Sequence, residues 1–218
     1  MPSSATTPLR SSRKPKMTEP KKETMRLFVA CEVPEDVKSA VGTVTAALKK
    51  SSSDAVRWVN PDGVHLTLKF LGEVQQKTLP AVKIAMQEAV VRHSPFNLEF
   101  STIGMFGGRE GLRTMWLGVA GDVLRLEALA RDMNLALEVV GFEADRRPFR
   151  SHLTIGRVRD HISTRERAAI EVAVGKEDIP PAQWRTSQVS LIGSTLSKRG
   201  AQYETVATFP LRTASPST

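Results

Sequence analysis

Two short stretches restrict this chain more than any other part of it: His65-Leu66-Thr67-Leu68 and His152-Leu153-Thr154-Ile155. In each, a histidine and a threonine alternate with branched apolar residues, the pattern of a strand with one buried and one polar face. Side chains alternate across a strand with period two, so His and Thr of each copy fall on the same face. Any fold must therefore supply two strands whose apolar faces enter a core and whose His and Thr faces stay accessible. The copies lie 87 residues apart, the length of one small domain, which is compatible with two related α+β halves.

The rest of the chain fills in around them. Arg26-Leu27-Phe28-Val29-Ala30-Cys31-Glu32-Val33 is a nearly continuous apolar run and is expected to be a buried central strand. Helical spacing of apolar residues follows from Glu35 to Lys50, from Leu79 to His93, from Gly121 to Gly141 and near 164–175. A short extended piece at Arg57-Trp58-Val59 precedes the turn Asn60-Pro61-Asp62-Gly63. Strands are expected at 96–106 and 113–120, joined by Gly107-Gly108-Arg109-Glu110-Gly111, and at 184–195 and 202–211, joined by Leu196-Ser197-Lys198-Arg199-Gly200-Ala201. The order is strand, helix, strand, helix, strand, strand, helix, strand, helix, strand, strand, an α+β arrangement.

Residues 1–25 are rich in Ser, Thr, Pro and Lys, and disorder is expected there and in 212–218. Arg10, Arg13, Lys14, Lys16, Lys21 and Lys22 against Glu19 and Glu23 put about half of the formal net charge of +8 in that tail. The body, 26–211, is then only mildly basic and reads as a single bilobal domain. The single cysteine, Cys31, excludes an internal disulfide and fits a reducing cytoplasm; its place in an apolar run makes it a core thiol. No apolar run reaches the roughly 18 residues of a membrane span, and no secretory signal opens the chain.

Two histidines on facing strands supply an acid and a base titrating near neutral pH. Such a pair suits in-line displacement at phosphorus, with each threonine hydroxyl placed to donate to a non-bridging oxygen. A cyclic phosphodiester fits best, because its leaving oxygen stays tethered. No metal is expected: Asp62 and Glu73 fall in turns without ligand spacing. His93, at a helix end, reads as a cap or surface residue, and Trp58, Trp116 and Trp184 read as core.

Taken together, RLFVACEVPEDV, RWVNPDGVHLTLKFLGEV, GMFGGREGLRTMWLGV, FRSHLTIGRVR and SLIGSTLSKRGAQYETVATFPL resemble the 2H phosphoesterases. Within them they look most like the RNA 2′,3′-cyclic phosphodiesterases, historically called 2′-5′ RNA ligases. The resemblance implies a bilobal α+β fold, with two pseudo-symmetric lobes whose antiparallel sheets line a central cleft and helices outside. It implies catalytic histidines at His65 and His152, phosphate-binding threonines at Thr67 and Thr154, and a phosphate-binding base at Arg157. His65 would be the acid on the 3′ oxygen and His152 the base activating water. Arg157 lies five residues after its histidine, the wrong parity for that face, so it reaches a phosphate only if the strand bends; Gly156 is where a bend is easiest. Phe70 holds the matching place after His65.

Phe70 and Arg150 are possible RNA contacts, and Arg109, Lys198 and Arg199 candidates for steering phosphates. Ser151 stands where this family commonly has Pro, and keeps a backbone N–H that Pro lacks. The expected activity is metal-independent hydrolysis of RNA 2′,3′-cyclic phosphate ends to 2′-phosphates by a cofactor-free monomer. Two alternatives stand beside it: 2′-5′ RNA ligation by the reverse chemistry, and an RNA-binding module that turns nothing over.

Overall fold

The computed structural model describes residues 24–108, 111–197 and 200–212. The first strand, β1 (Thr24–Glu32), enters helix α1 (Glu35–Ser52). The three-residue β2 (Val56–Trp58) and a single 3-10 turn at Pro61–Gly63 lead to the first histidine strand, β3 (His65–Gln75), then α2 (Leu79–Val90). A hairpin of β4 (Phe96–Gly108) and β5 (Gly111–Gly121) precedes α3 (Val123–Val139) and the second histidine strand, β6 (His152–Val158). After α4 (Thr164–Lys176) come β7 (Gln183–Thr186), β8 (Gln188–Ser197) and β9 (Gly200–Pro210). α4 starts on a capping box in which Ser163 and Glu166 satisfy each other's backbone N–H groups.

Two antiparallel sheets result, one ordered β3-β1-β8-β9 and the other β2-β6-β5-β4-β7. Each contains one histidine strand, as the resemblance implies. Leu66, Leu68, Leu153 and Ile155 on the reverse faces of those strands join Val37, Val41, Leu48, Leu126, Leu129 and Met133 of the helices in one continuous apolar core. The helices thus cover the faces that the histidines leave.

The expected strand over 184–195 is two strands. β7 pairs with β4 in the second sheet, whereas β8 pairs with β1 in the first, and the chain changes sheets at Ser187, whose carbonyl accepts from the N–H of Leu211. The buried positions change parity there, from Trp184 and Thr186 to Val189 and Leu191, across the exposed pair Ser187-Gln188, a break that the expected single strand ran through. At the ends, Thr24 and Met25 belong to β1, opposite Gln75 and Val74, and the N–H of Arg212 donates to the His93 carbonyl. Strand β1 therefore begins two residues before the expected boundary at 26, and Arg212 is bonded to the body. The remainder of both expected tails lies outside the described residues.

The starts of β1, α1, β3 and α2 recur at β5, α3, β6 and α4 after 85 to 88 residues. The chain thus carries a repeated strand-helix-strand-helix unit. The first unit is followed by β4, which lies beside β5 in the other sheet; the second is followed by β7, beside β4, and then by β8, which crosses to lie beside β1. Neither half closes its own sheet, which makes the two lobes one interlocked body.

Candidate active site

His65 and His152 begin their strands in the same way. The Nδ1–H of His65 donates to the Gly63 carbonyl at 2.8 Å, and that of His152 to the Arg150 carbonyl at 2.7 Å. In both cases the acceptor lies two residues back. This fixes the ring orientation and leaves Nε2 of each imidazole for chemistry. For His65 the acceptor is held by the 3-10 turn, where Asn60 caps Asp62 and the Gly63 N–H donates to the Asn60 carbonyl.

Each histidine strand contains a bulge at the same place. In β3, Thr67 faces Ala30 and Lys69 faces Val29, so Leu68 has no partner; in β6, Thr154 faces Trp116 and Gly156 faces Met115, so Ile155 has none. An extra residue lets two neighbours turn toward the core: Leu68 with Lys69, and Ile155 with Gly156. The following residue then returns to the histidine face. This puts Arg157 and Phe70 on that face despite their parity, with the bend at the Ile155-Gly156 step. Gly156 is required there, because a Cβ would stand 2.7 Å from Val56 Cγ1.

The first motif sits against aromatic rings. Phe28 lies 4.5 Å from the His65 ring and Tyr203 meets it edge-on at 5.1 Å. Phe70 is 64% exposed and packs 5.9 Å from Phe28. Phe28, Ala30 and Ile192 make a small apolar floor separate from the main core. The second motif is flanked by Phe106, 4.9 Å from His152, and by Trp116 at 6.4 Å. Trp116 is therefore a wall of the site rather than a core residue as expected; Trp184 is buried, and Trp58 packs at the core margin. The Arg150 guanidinium lies 5.7 Å from the Phe106 ring.

Burial lowers the proton affinity of both imidazoles below the ordinary histidine range. The bonds to Gly63 and Arg150 oppose that shift, and at His65 so does the charge of Glu32, its cross-strand neighbour. Glu32 accepts a short hydrogen bond from the Ser190 hydroxyl. No protein group among the described residues occupies the Thr67 or Thr154 hydroxyl, or the Arg157 guanidinium.

The remaining candidates divide. His93 Nε2 lies 3.0 Å from Asp132 and ties α2 to α3, away from the motifs, in a largely buried pair rather than at the surface. Ser151 is used through its hydroxyl, which donates to the Val119 carbonyl, and not through the backbone N–H that distinguishes it from Pro. Arg109, Lys198 and Arg199 lie outside the described residues. Phe28, Phe106 and Tyr203 had no local signal, since they reach the histidines from strands remote in sequence. Among the described residues no three His, Cys, Asp or Glu side chains gather to hold an ion, and no helix is long and apolar enough to cross a membrane.

Residues 28–196 match the 2′-5′ RNA ligase superfamily. The chain belongs to that family. An RNA 2′,3′-cyclic phosphodiesterase of Methanothermobacter thermautotrophicus is 28% identical over 188 residues, covering 86% of this chain and 99% of the relative. One from Archaeoglobus fulgidus is 35% identical over 135 residues, or 62% of this chain and 73% of the other. The crystal structure of Escherichia coli LigT complexed with 3′-AMP superposes with a TM-score of 0.69 at 25% identity, over 88% of this chain and all of that one.

Proposed function

We propose that the protein is a metal-independent phosphodiesterase that opens the 2′,3′-cyclic phosphate at an RNA end to a 2′-phosphomonoester. The observation that carries this reading is the matched commitment of two imidazoles. Each gives its Nδ1–H to a backbone carbonyl, and each stands on the same strand face as an unoccupied threonine hydroxyl. The names of the relatives agree with it.

In this reading Nε2 of neutral His152 takes a proton from water as the water oxygen bonds to phosphorus. The bond from phosphorus to the 3′ oxygen breaks, and protonated His65 delivers its Nε2 proton to that oxygen. One proton enters the enzyme and one leaves it, so the pair is reset by exchange with solvent. Glu32 beside His65 favours the charged form that an acid needs, and among the described residues no carboxylate acts on His152. Thr67 and Thr154 donate to the non-bridging oxygens, and Arg157 balances charge as the phosphorane forms. The exposed ring of Phe70 offers a stacking surface for a base.

His65→Ala and His152→Ala are each expected to slow hydrolysis of a cyclic-phosphate-ended oligoribonucleotide by roughly 10²–10⁴-fold, with the circular dichroism of the folded protein retained. Full turnover in either variant refutes the assignment. Excess chelator should leave the rate unchanged, and end-group analysis of the product should find a 2′-phosphate.

A further inference from the structure

Arg57 stands directly opposite Arg157 in the pairing of β2 with β6, and Thr114 faces Arg157 from the other side. The bulge at Ile155 has already placed Arg157 on the histidine face, so Arg57 shares that face. Both arginines are exposed, and among the described residues neither has a carboxylate partner. Like charges directly opposite on a ladder are unfavourable, and their Cα atoms lie only about 4.5–5.5 Å apart. Nothing in the core requires this pairing, because β2 is anchored by Val56 and Trp58 on its other side. β2 is nevertheless held close: Gly156, with no Cβ, lets Val56 and Trp58 pack against β6, and the Val59 N–H continues the ladder to the Ile155 carbonyl.

Two uncompensated guanidiniums side by side, on the face that carries a histidine and a threonine, make a site for two anionic groups close together. We propose that Arg57 binds the internucleotide phosphate on the 5′ side of the terminal nucleoside, while Arg157 holds the cyclic phosphate. This inference rests on the RNA phosphodiesterase reading and extends it. Arg57 makes the site select an oligonucleotide end over a free cyclic mononucleotide, which has no second phosphate.

The test compares kcat/KM for a 2′,3′-cyclic-phosphate oligoribonucleotide with kcat/KM for the 2′,3′-cyclic mononucleotide of the same base. In Arg57→Gln the oligonucleotide-to-mononucleotide ratio should fall roughly tenfold or more, as expected for a lost charge-assisted contact. The slope of log kcat/KM against log salt on the oligonucleotide should become shallower by about 0.7. Arg57→Lys, which keeps the charge but loses the planar fork, should recover part of the ratio. An unchanged ratio overturns the proposal, whether both substrates suffer equally or neither does.

If the wild-type protein hydrolyses neither substrate, the phosphodiesterase reading fails on its own. Binding of a labelled 3′-phosphate oligoribonucleotide then tests Arg57. Weaker binding with a shallower salt slope in Arg57→Gln supports the second-phosphate contact, and unaltered binding refutes it.

Discussion

Lys69 is among the largest fully buried side chains of the protein and lies on the core side of β3, one residue after the bulge. Its Nζ donates to Asn134 Oδ1 and, at 2.7 Å, to the Glu143 carbonyl, and it stands 3.5 Å from Asp145 Oδ2. The lysine side chain is 1% exposed and the aspartate 60%. Two accounts of how this ammonium is tolerated give different predictions. If the neutral acceptors hold it, Lys69→Met loses two charge-assisted bonds, each worth about 1.5–3 kcal/mol. It also removes the desolvation cost of a buried cation, several kcal/mol in the opposite direction. The Asn134 amide keeps its bond from the Asp145 N–H, so the uncompensated loss is the Glu143 carbonyl, left without a partner at about 1–3 kcal/mol. The expected destabilisation is therefore about 2 kcal/mol, or a drop in Tm of roughly 4–8 °C for a chain of this size.

Asp145→Asn should cost no more than about 0.5 kcal/mol, because its carboxylate is mostly in water and the separation is long. Urea unfolding followed by tryptophan fluorescence measures both variants, at low salt and in about 1 M NaCl, where the Debye length is near 3 Å. The gap between wild type and Lys69→Met should persist at high salt. If Asp145→Asn is as damaging as Lys69→Met, or if the gap closes with salt, an exposed ion pair holds the lysine and the reasoning is refuted.

Other consequences follow from single contacts. Burial pushes the Cys31 thiol up to about 12, so the native protein should not react with a disulfide reagent at pH 8, and should react once unfolded; rapid native labelling would contradict the core placement. Both site histidines bind protons less tightly folded than unfolded, so stability is full above pH ~6.5 and is lost as pH falls below it toward the lowered values. His65→Gln should flatten that acid-side loss in pH-dependent unfolding, and an identical profile would show that burial of His65 does not matter. A Cβ at Gly104 would stand 2.2 Å from Trp116 Cζ2, so Gly104→Ala must displace a wall of the His152 site. A fall in kcat of up to about 10²-fold is expected with the fold intact, and an unchanged kcat would mean that Trp116 does not brace the imidazole.

Much of this site was legible because its two halves are local. The His-x-Thr alternation and the apolar partners lie within four residues, and period two alone puts the functional groups on one face. The parity of Arg157 even required a distortion, which the unpaired Ile155 supplies. What stayed hidden depends on register between distant strands. Arg57 gains meaning only opposite Arg157, Trp116 only beside His152, and Tyr203 only against His65, from 138 residues away. The same holds for Ser187, where the change of sheet rests on pairing with β4 and β1, both remote in sequence, and for Lys69, whose burial follows from the bulge and whose acceptors lie on α3 and the loop after it.

The position four residues after each histidine shows how a repeated unit comes to carry unlike half-sites. In the first copy it is Lys69, in the second Gly156, and both point to the core through the same bulge. Each faces the connector that belongs to the other copy. The connector from α1 to β3 contains β2, which packs onto β6 because Gly156 leaves room for Val56 and Trp58. The connector from α3 to β6 has no strand to offer, and Lys69 of β3 grips it instead through Glu143 and Asp145, with Asn134 of α3 beside them. Each histidine is thus positioned by a segment fastened to the opposite histidine strand, once by a ladder and once by an ammonium. With the exchanged strands β4 and β8, these ties join the two motifs. They also differ in what they bring to the cleft. The ladder carries Arg57 in beside Arg157, while the ammonium leaves β3 an edge strand that holds the aromatic Phe70 at the place matching Arg157. Aromatic rings flank both histidines, Phe28 and Tyr203 at His65 and Phe106 and Trp116 at His152, but the paired guanidiniums Arg57 and Arg157 stand on the His152 side, an asymmetry that goes with the unlike core residues Lys69 and Gly156 rather than with the motifs themselves.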